Sequence, residues 1–166
     1  MKKEVACPSP DHTLAVGEAI GRALGPGGVI ALEGPLGAGK TLLTKGIARG
    51  LGVREWRYVT SPTFAIHNVY QGRLRLHHLD LYRLGGALEL EQLGLEEALH
   101  GADACVIEWP DILLQELPQE RVDVRFRWGE DGGRILEIEA GGPVGETLSV
   151  ELEAVVQDSG VRKEGV

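Results

Sequence analysis

Gly34-Pro35-Leu36-Gly37-Ala38-Gly39-Lys40-Thr41 lies between a short apolar run, Val29–Leu32, and a stretch with Leu43, Ile47 and Leu51 at a spacing of four. The run before it is bounded by glycines and reads as a buried strand; the spacing after it reads as a helix from about Lys40 to Leu51, stopped by Gly52. The octapeptide satisfies G-x-x-x-x-G-K-[ST] at every specified position. Each residue type has a chemical reason. The glycines let successive backbone N–H groups turn toward one point, a concavity that grips phosphate oxygens. The helix that starts near Lys40 adds the partial positive charge of its N-terminus. Lys40 supplies a mobile point charge for the β- and γ-phosphates of a nucleotide, and the Thr41 hydroxyl suits Mg²⁺.

Outward from this loop the chain alternates strand and helix. Asp11 or Thr13 caps a helix to about Leu24. Phe64–Tyr70 and Leu74–Leu81 flank Gln71-Gly72-Arg73 as a hairpin, and Val122–Trp128 with Arg134–Ala140 form a second one. Between them lie a broken helical stretch, Leu88–Leu99, interrupted at Gly94, and a buried strand, Cys105–Ile107, ending in Glu108-Trp109-Pro110. The pattern predicts an α/β fold of the P-loop nucleoside triphosphatase class: a mainly parallel central sheet, helices on both faces, and hairpin strands added antiparallel at an edge. Residues 1–140 are expected to form one domain. The polar tail, 141–166, reads as an extension that is partly ordered or frayed.

Composition narrows the chemistry. The 166 residues suit a single domain, with 43% apolar and 25% charged residues. A net charge of −8 disfavours autonomous binding to a nucleic-acid backbone. That charge is uneven: residues 1–83 hold 11 basic and 6 acidic side chains, and residues 84–166 hold 6 and 19. The basic half contains the glycine loop and is where an anionic ligand is expected. No stretch is apolar and long enough to span a membrane, and MKKEVACPSP does not read as a secretory signal. Cys7 and Cys105 show no metal or redox spacing and read as reduced thiols, Cys105 in a buried strand.

A magnesium site also needs a carboxylate at the end of a neighbouring strand. Glu108, after Cys105–Ile107, and Asp80, within Leu79-Asp80-Leu81, both qualify. The absence of N-K-x-D argues against a GTPase, and the absence of LSGGQ against a transporter-type ATPase. A small-molecule kinase stays open, as does a binding module that uses ATP only as a conformational ligand.

Four blocks now carry a family resemblance: Gly34–Thr41, Ser61-Pro62-Thr63-Phe64, His78-Leu79-Asp80-Leu81-Tyr82-Arg83-Leu84, and Ile107-Glu108-Trp109-Pro110. In order and spacing they resemble the bacterial TsaE (YjeE) family, ATPases of tRNA threonylcarbamoyladenosine synthesis, over roughly residues 8–140. The resemblance implies a cytoplasmic protein that binds ATP and Mg²⁺, hydrolyses ATP slowly alone, and acts with a TsaB–TsaD heterodimer on the adenosine beside the anticodon. It implies that Lys40 and the amides of Gly37, Ala38, Gly39, Lys40 and Thr41 hold phosphates, that Leu42 contacts the nucleotide, that Thr41 and Glu108 hold the metal, and that Lys40, Asp80 and Glu108 serve catalysis, Asp80 by polarising water or by holding a metal-bound water. It places Thr63 opposite the γ-phosphate and the adenine near Pro10–Thr13 and Gly133-Arg134, which makes Arg134 a nucleotide contact. Arg83 is the in-chain candidate for transition-state charge. His78 shares a strand face with Asp80, which suits a hydrogen-bonding role; His77 points the other way.

Overall fold

The computed structural model describes residues 1–62, 64–85, 92 and 94–158. Among them, seven strands share one sheet: β1 (Lys2–Cys7), β2 (Val29–Glu33), β3 (His67–Tyr70), β4 (Leu76–Asp80), β5 (Ala104–Glu108), β6 (Val122–Trp128) and β7 (Arg134–Ala140). Their spatial order is β1-β7-β6-β2-β5-β4-β3. The four central strands β6, β2, β5 and β4 run parallel, while β3 pairs antiparallel with β4, and β7 antiparallel with both β6 and β1.

β2 shows why the sheet needs cover on both sides. All of Val29–Leu32 is buried, and alternate side chains enter different cores. Ile30 and Leu32 join the core under α1 (Pro10–Ala23), α2 (Lys40–Gly50) and α4 (Gly142–Asp158). Val29 and Ala31 face the smaller core made with α3 (Glu96–His100) and with Leu113 and Leu117. Burying one such aliphatic side chain contributes about 1.5–3 kcal/mol, so this central strand anchors both layers.

The phosphate-loop helix α2 is held by close backbone contact with α1. A Cβ at Gly17 would strike the Leu43 carbonyl oxygen, and one at Gly46 would strike that of Leu14. Gly21 and Gly50 repeat the arrangement one turn on. The β3–β4 turn secures the far end of α1: the Arg73 guanidinium donates to the carbonyl oxygens of Gly21 (2.7 Å), Arg22 (3.2 Å) and Leu24 (2.7 Å). These are carbonyls that a helix end leaves unpaired.

Several expectations need correcting. Within the tail, read as partly ordered or frayed, Gly142–Asp158 form a helix: α4 packs on α1 with Leu148 and Leu152 fully buried, and Glu151 accepts from Arg22 Nε at 2.7 Å. Its polar outer face conceals an apolar stripe at a spacing of four. The second hairpin does not lie at the edge, because β6 joins the parallel set and β7 is covered by β1. β1 carries only Val5 and Cys7 as inward residues, too few to signal a strand without its partner. Of the helical stretch Leu88–Leu99, residues 88–91 and 93 lie outside the described residues; the observed helix is α3. Both cysteines are free and buried, and burial pushes their thiols up to about 11 for Cys7 and about 12 for Cys105. Among the described residues no helix is long and apolar enough to cross a membrane.

Candidate active site

The parallel strands β2, β4 and β5 deliver their carboxyl ends to one side of the sheet, where α2 begins. The chain leaves β2 at Gly34 (φ 152°), where a side chain would run into Phe126 on β6. It enters α2 through Gly39, left-handed at φ 107°. Those backbone settings curl residues 34–39 around the N-terminus of α2. A cleft of about 450 Å³ opens there, lined by Gly37, Ala38, Gly39, Lys40, Thr41 and Leu42 on the loop side. Ser61, Asp80, Glu108 and Trp109 line the opposite side.

The two candidate acids are register partners, Asp80 on β4 opposite Glu108 on β5. Both are buried, and both are hydrogen-bonded. Glu108 Oε1 accepts from the Thr41 hydroxyl at 3.1 Å and from His78 Nε2 at 2.9 Å. Asp80 accepts from the Ser61 hydroxyl through Oδ2 and from the Tyr82 backbone N–H through Oδ1 at 3.0 Å. A carboxylate bound by donors on both oxygens is fixed in direction.

Lys40 is buried and folded back, donating from Nζ to the carbonyl oxygens of Gly34 (2.6 Å) and Pro35 (2.9 Å). Its ammonium lies 4.1 Å from the centre of the Trp109 ring. Burial pulls its pKa below the ordinary lysine value, and the nearby charges of Glu108 and Asp80 oppose that shift. Trp109 itself has φ 58°, a setting rare for a bulky residue, and meets Tyr82 at 4.9 Å between ring centres. Arg83 lies over the Phe64 ring at 4.6 Å, and Arg83 also lines the cleft.

Next to the cleft, sharing Ala38, Gly39 and Leu42 with it, is a groove of about 120 Å³. Pro10, Thr13, Gly133 and Arg134 line it, so two segments distant in sequence meet there. Arg134 is held there by donating to the carbonyl oxygens of Ala38 (2.8 Å) and Gly37 (3.3 Å) and by stacking 3.6 Å from the Trp128 ring centre. Thr63 lies outside the described residues.

The family model for the threonylcarbamoyl adenosine biosynthesis protein TsaE matches residues 7–136. The chain belongs to the TsaE family. Two curated relatives named tRNA threonylcarbamoyladenosine biosynthesis protein TsaE are each 42% identical to it. The one from Treponema pallidum aligns over 78% of this chain and 95% of its own length, and the one from Bacillus subtilis over 87% and 89%. A crystal structure of Bacillus subtilis YdiB superposes with a TM-score of 0.72 and 32% identity, covering 96% of this chain and 97% of that one. The TsaE match stops before the end of β7, whereas the likeness to YdiB extends over nearly the whole chain.

Sequence reasoning named Lys40, Thr41, Asp80 and Glu108, and the structure brings all four into one cleft. It missed Cys7, Pro8 and Ser9 in the neighbouring groove. They reach it only because β1 pairs with β7, a long-range contact with no local signature. Sequence reasoning placed His77 outside the site, and the structure agrees: His77 does not line the cleft and bonds His67 (2.9 Å) and Asp103 (3.1 Å).

Proposed function

We propose that this chain binds ATP with Mg²⁺ in the cleft and hydrolyses it, as an accessory to threonylcarbamoylation of the adenosine beside the anticodon in tRNA. One observation carries this reading: the Thr41 hydroxyl and the Glu108 carboxylate meet at 3.1 Å beside a glycine loop whose lysine is held inside the same cleft. This donor set fits Mg²⁺, which favours hard oxygen ligands and takes few from the protein when phosphates and water supply the rest. When bound, Mg²⁺ supplies positive charge at the β- and γ-phosphate oxygens.

The chain's own residues then divide the work. The amides of Gly37–Thr41 receive phosphate oxygens, and Lys40 exchanges the carbonyls of Gly34 and Pro35 for the β- and γ-phosphates. Asp80, oriented by Ser61 and the Tyr82 amide, accepts a hydrogen bond from the attacking water. The groove under Arg134 takes the adenine, with Pro10, Thr13 and Leu42 as its apolar and small walls. Arg83, stacked on Phe64 while also lining the cleft, suits slow hydrolysis that a partner accelerates.

The partner in this reading is a TsaB–TsaD heterodimer in the cytoplasm. The acidic C-terminal half, with 19 acidic and 6 basic residues, repels free RNA, so tRNA contact falls to the partners. Co-purification with TsaB–TsaD tests this directly. Association with ATP present and little with ADP is expected. Equal recovery with both nucleotides, or none with either, contradicts the proposal.

A further inference from the structure

The face of β4 that carries Asp80 also carries His78, and His78 is fully buried. Its strand neighbours on that side, Leu76 on β4 and Val106 on β5, belong to the apolar core under the helices. An imidazole in such surroundings loses its hydration and needs hydrogen bonds to compensate. Here it makes one: Nε2 lies 2.9 Å from Glu108 Oε1, reaching diagonally across the β4–β5 pair. Its other nitrogen, Nδ1, is buried without any hydrogen-bond partner. A carboxylate oxygen only accepts, so Nε2 is the donor in this bond. An aliphatic side chain of similar size would fill this space without the orphaned nitrogen. The ring is therefore a poor choice for packing and a specific one for holding Glu108.

We propose that His78 is a positioning residue that fixes Glu108 for the divalent cation; this rests on the reading of Glu108 as a metal ligand given above. In the structure two donors meet on Oε1, the Thr41 hydroxyl and His78 Nε2, which leaves Oε2 for a ligand. On that reading the Thr41 hydroxyl turns its oxygen to the cation when nucleotide binds. The donor that remains on Glu108 is then His78. Groups that orient a metal ligand from behind typically change metal affinity by about 10–100-fold when lost.

The test is a Mg²⁺ titration of nucleotide binding, read with a fluorescent ATP analogue and needing no turnover. Four proteins are compared: wild type, His78→Leu, His78→Gln and His78→Asn. Glutamine can place an N–H where Nε2 stands, whereas the asparagine amide is one carbon short. His78→Leu is expected to raise the Mg²⁺ concentration for half-maximal effect by about 10-fold. Its nucleotide affinity in excess chelator should stay unchanged, since the loop and Lys40 are intact. His78→Gln should return the titration to near wild type and His78→Asn should not. If His78→Leu does not fold, by circular dichroism, the Gln and Asn pair decides alone.

A folded His78→Leu with the wild-type Mg²⁺ response overturns the proposal, as does rescue by Asn equal to rescue by Gln. Glu108→Gln in the same titration separates the two levels of the reading. If Glu108→Gln weakens the Mg²⁺ response and the His78 variants do not, only the role of His78 falls. If Glu108→Gln has no effect either, the metal site itself is misplaced and both readings fall.

Discussion

Lys40→Ala is expected to weaken ATP binding by roughly 100-fold while leaving the fold intact. The ammonium is held inside the cleft by two carbonyl oxygens and by the Trp109 ring, so it starts within reach of the phosphates. Charge-assisted hydrogen bonds to such a group are each worth about 1.5–3 kcal/mol, and about 2.8 kcal/mol corresponds to a factor of 100. Burial already draws the Lys40 pKa down, which means the site holds the charge against a desolvation cost. An anion relieves that cost, and alanine removes the group that gains from it. Calorimetric titration with ATP in Mg²⁺ gives the number. An affinity within threefold of wild type would show that the loop amides suffice and that Lys40 has no part in binding.

Gly46→Ala is expected to destabilise the protein by about 2–4 kcal/mol, although alanine is the better helix former by about 1 kcal/mol. The reason is the backbone of α1: a Cβ at Gly46 would overlap the Leu14 carbonyl oxygen, which belongs to a helix and cannot rotate aside. For a domain of this size each kcal/mol moves the melting temperature by about 2–4 °C, so a fall of roughly 5–15 °C is expected. Gly25→Ala serves as the control, because nothing lies within 4 Å of a Cβ built there. It should melt within about 2 °C of wild type. Equal melting of the two variants would mean that α1 and α2 are not in backbone contact. Because α2 carries Lys40 and Thr41, the loss of that contact would also reach the cleft.

The loop and its flanking strand and helix were legible because local rules coincide there. Glycine positions, the apolar run Val29–Leu32 and the four-residue spacing after Lys40 all require the same strand–loop–helix unit. Asp80 and Glu108 were legible for a related reason, since each is an acid at the end of a buried strand. Their pairing in register needed the sheet order, which no local pattern carries. β1 and α4 were missed in two different ways. β1 gains its meaning from β7, more than 120 residues away, through the Lys2–Glu139 to Cys7–Arg134 register. In α4 the apolar stripe containing Leu148 and Leu152 was present, and glycines with acidic neighbours obscured it. The bond from His78 to Glu108 shows a further limit. The sequence placed His78 on the acid's face of β4, and only the adjacent strand revealed which acid it holds.

Phosphate release from saturating ATP, measured for wild type and Glu108→Ala with TsaB–TsaD present, tests the account most directly. At least a 100-fold loss of turnover is expected in the variant, with nucleotide affinity changed only a few-fold. Mg²⁺-dependent hydrolysis at the wild-type rate in Glu108→Ala would contradict it and would move the metal to Asp80.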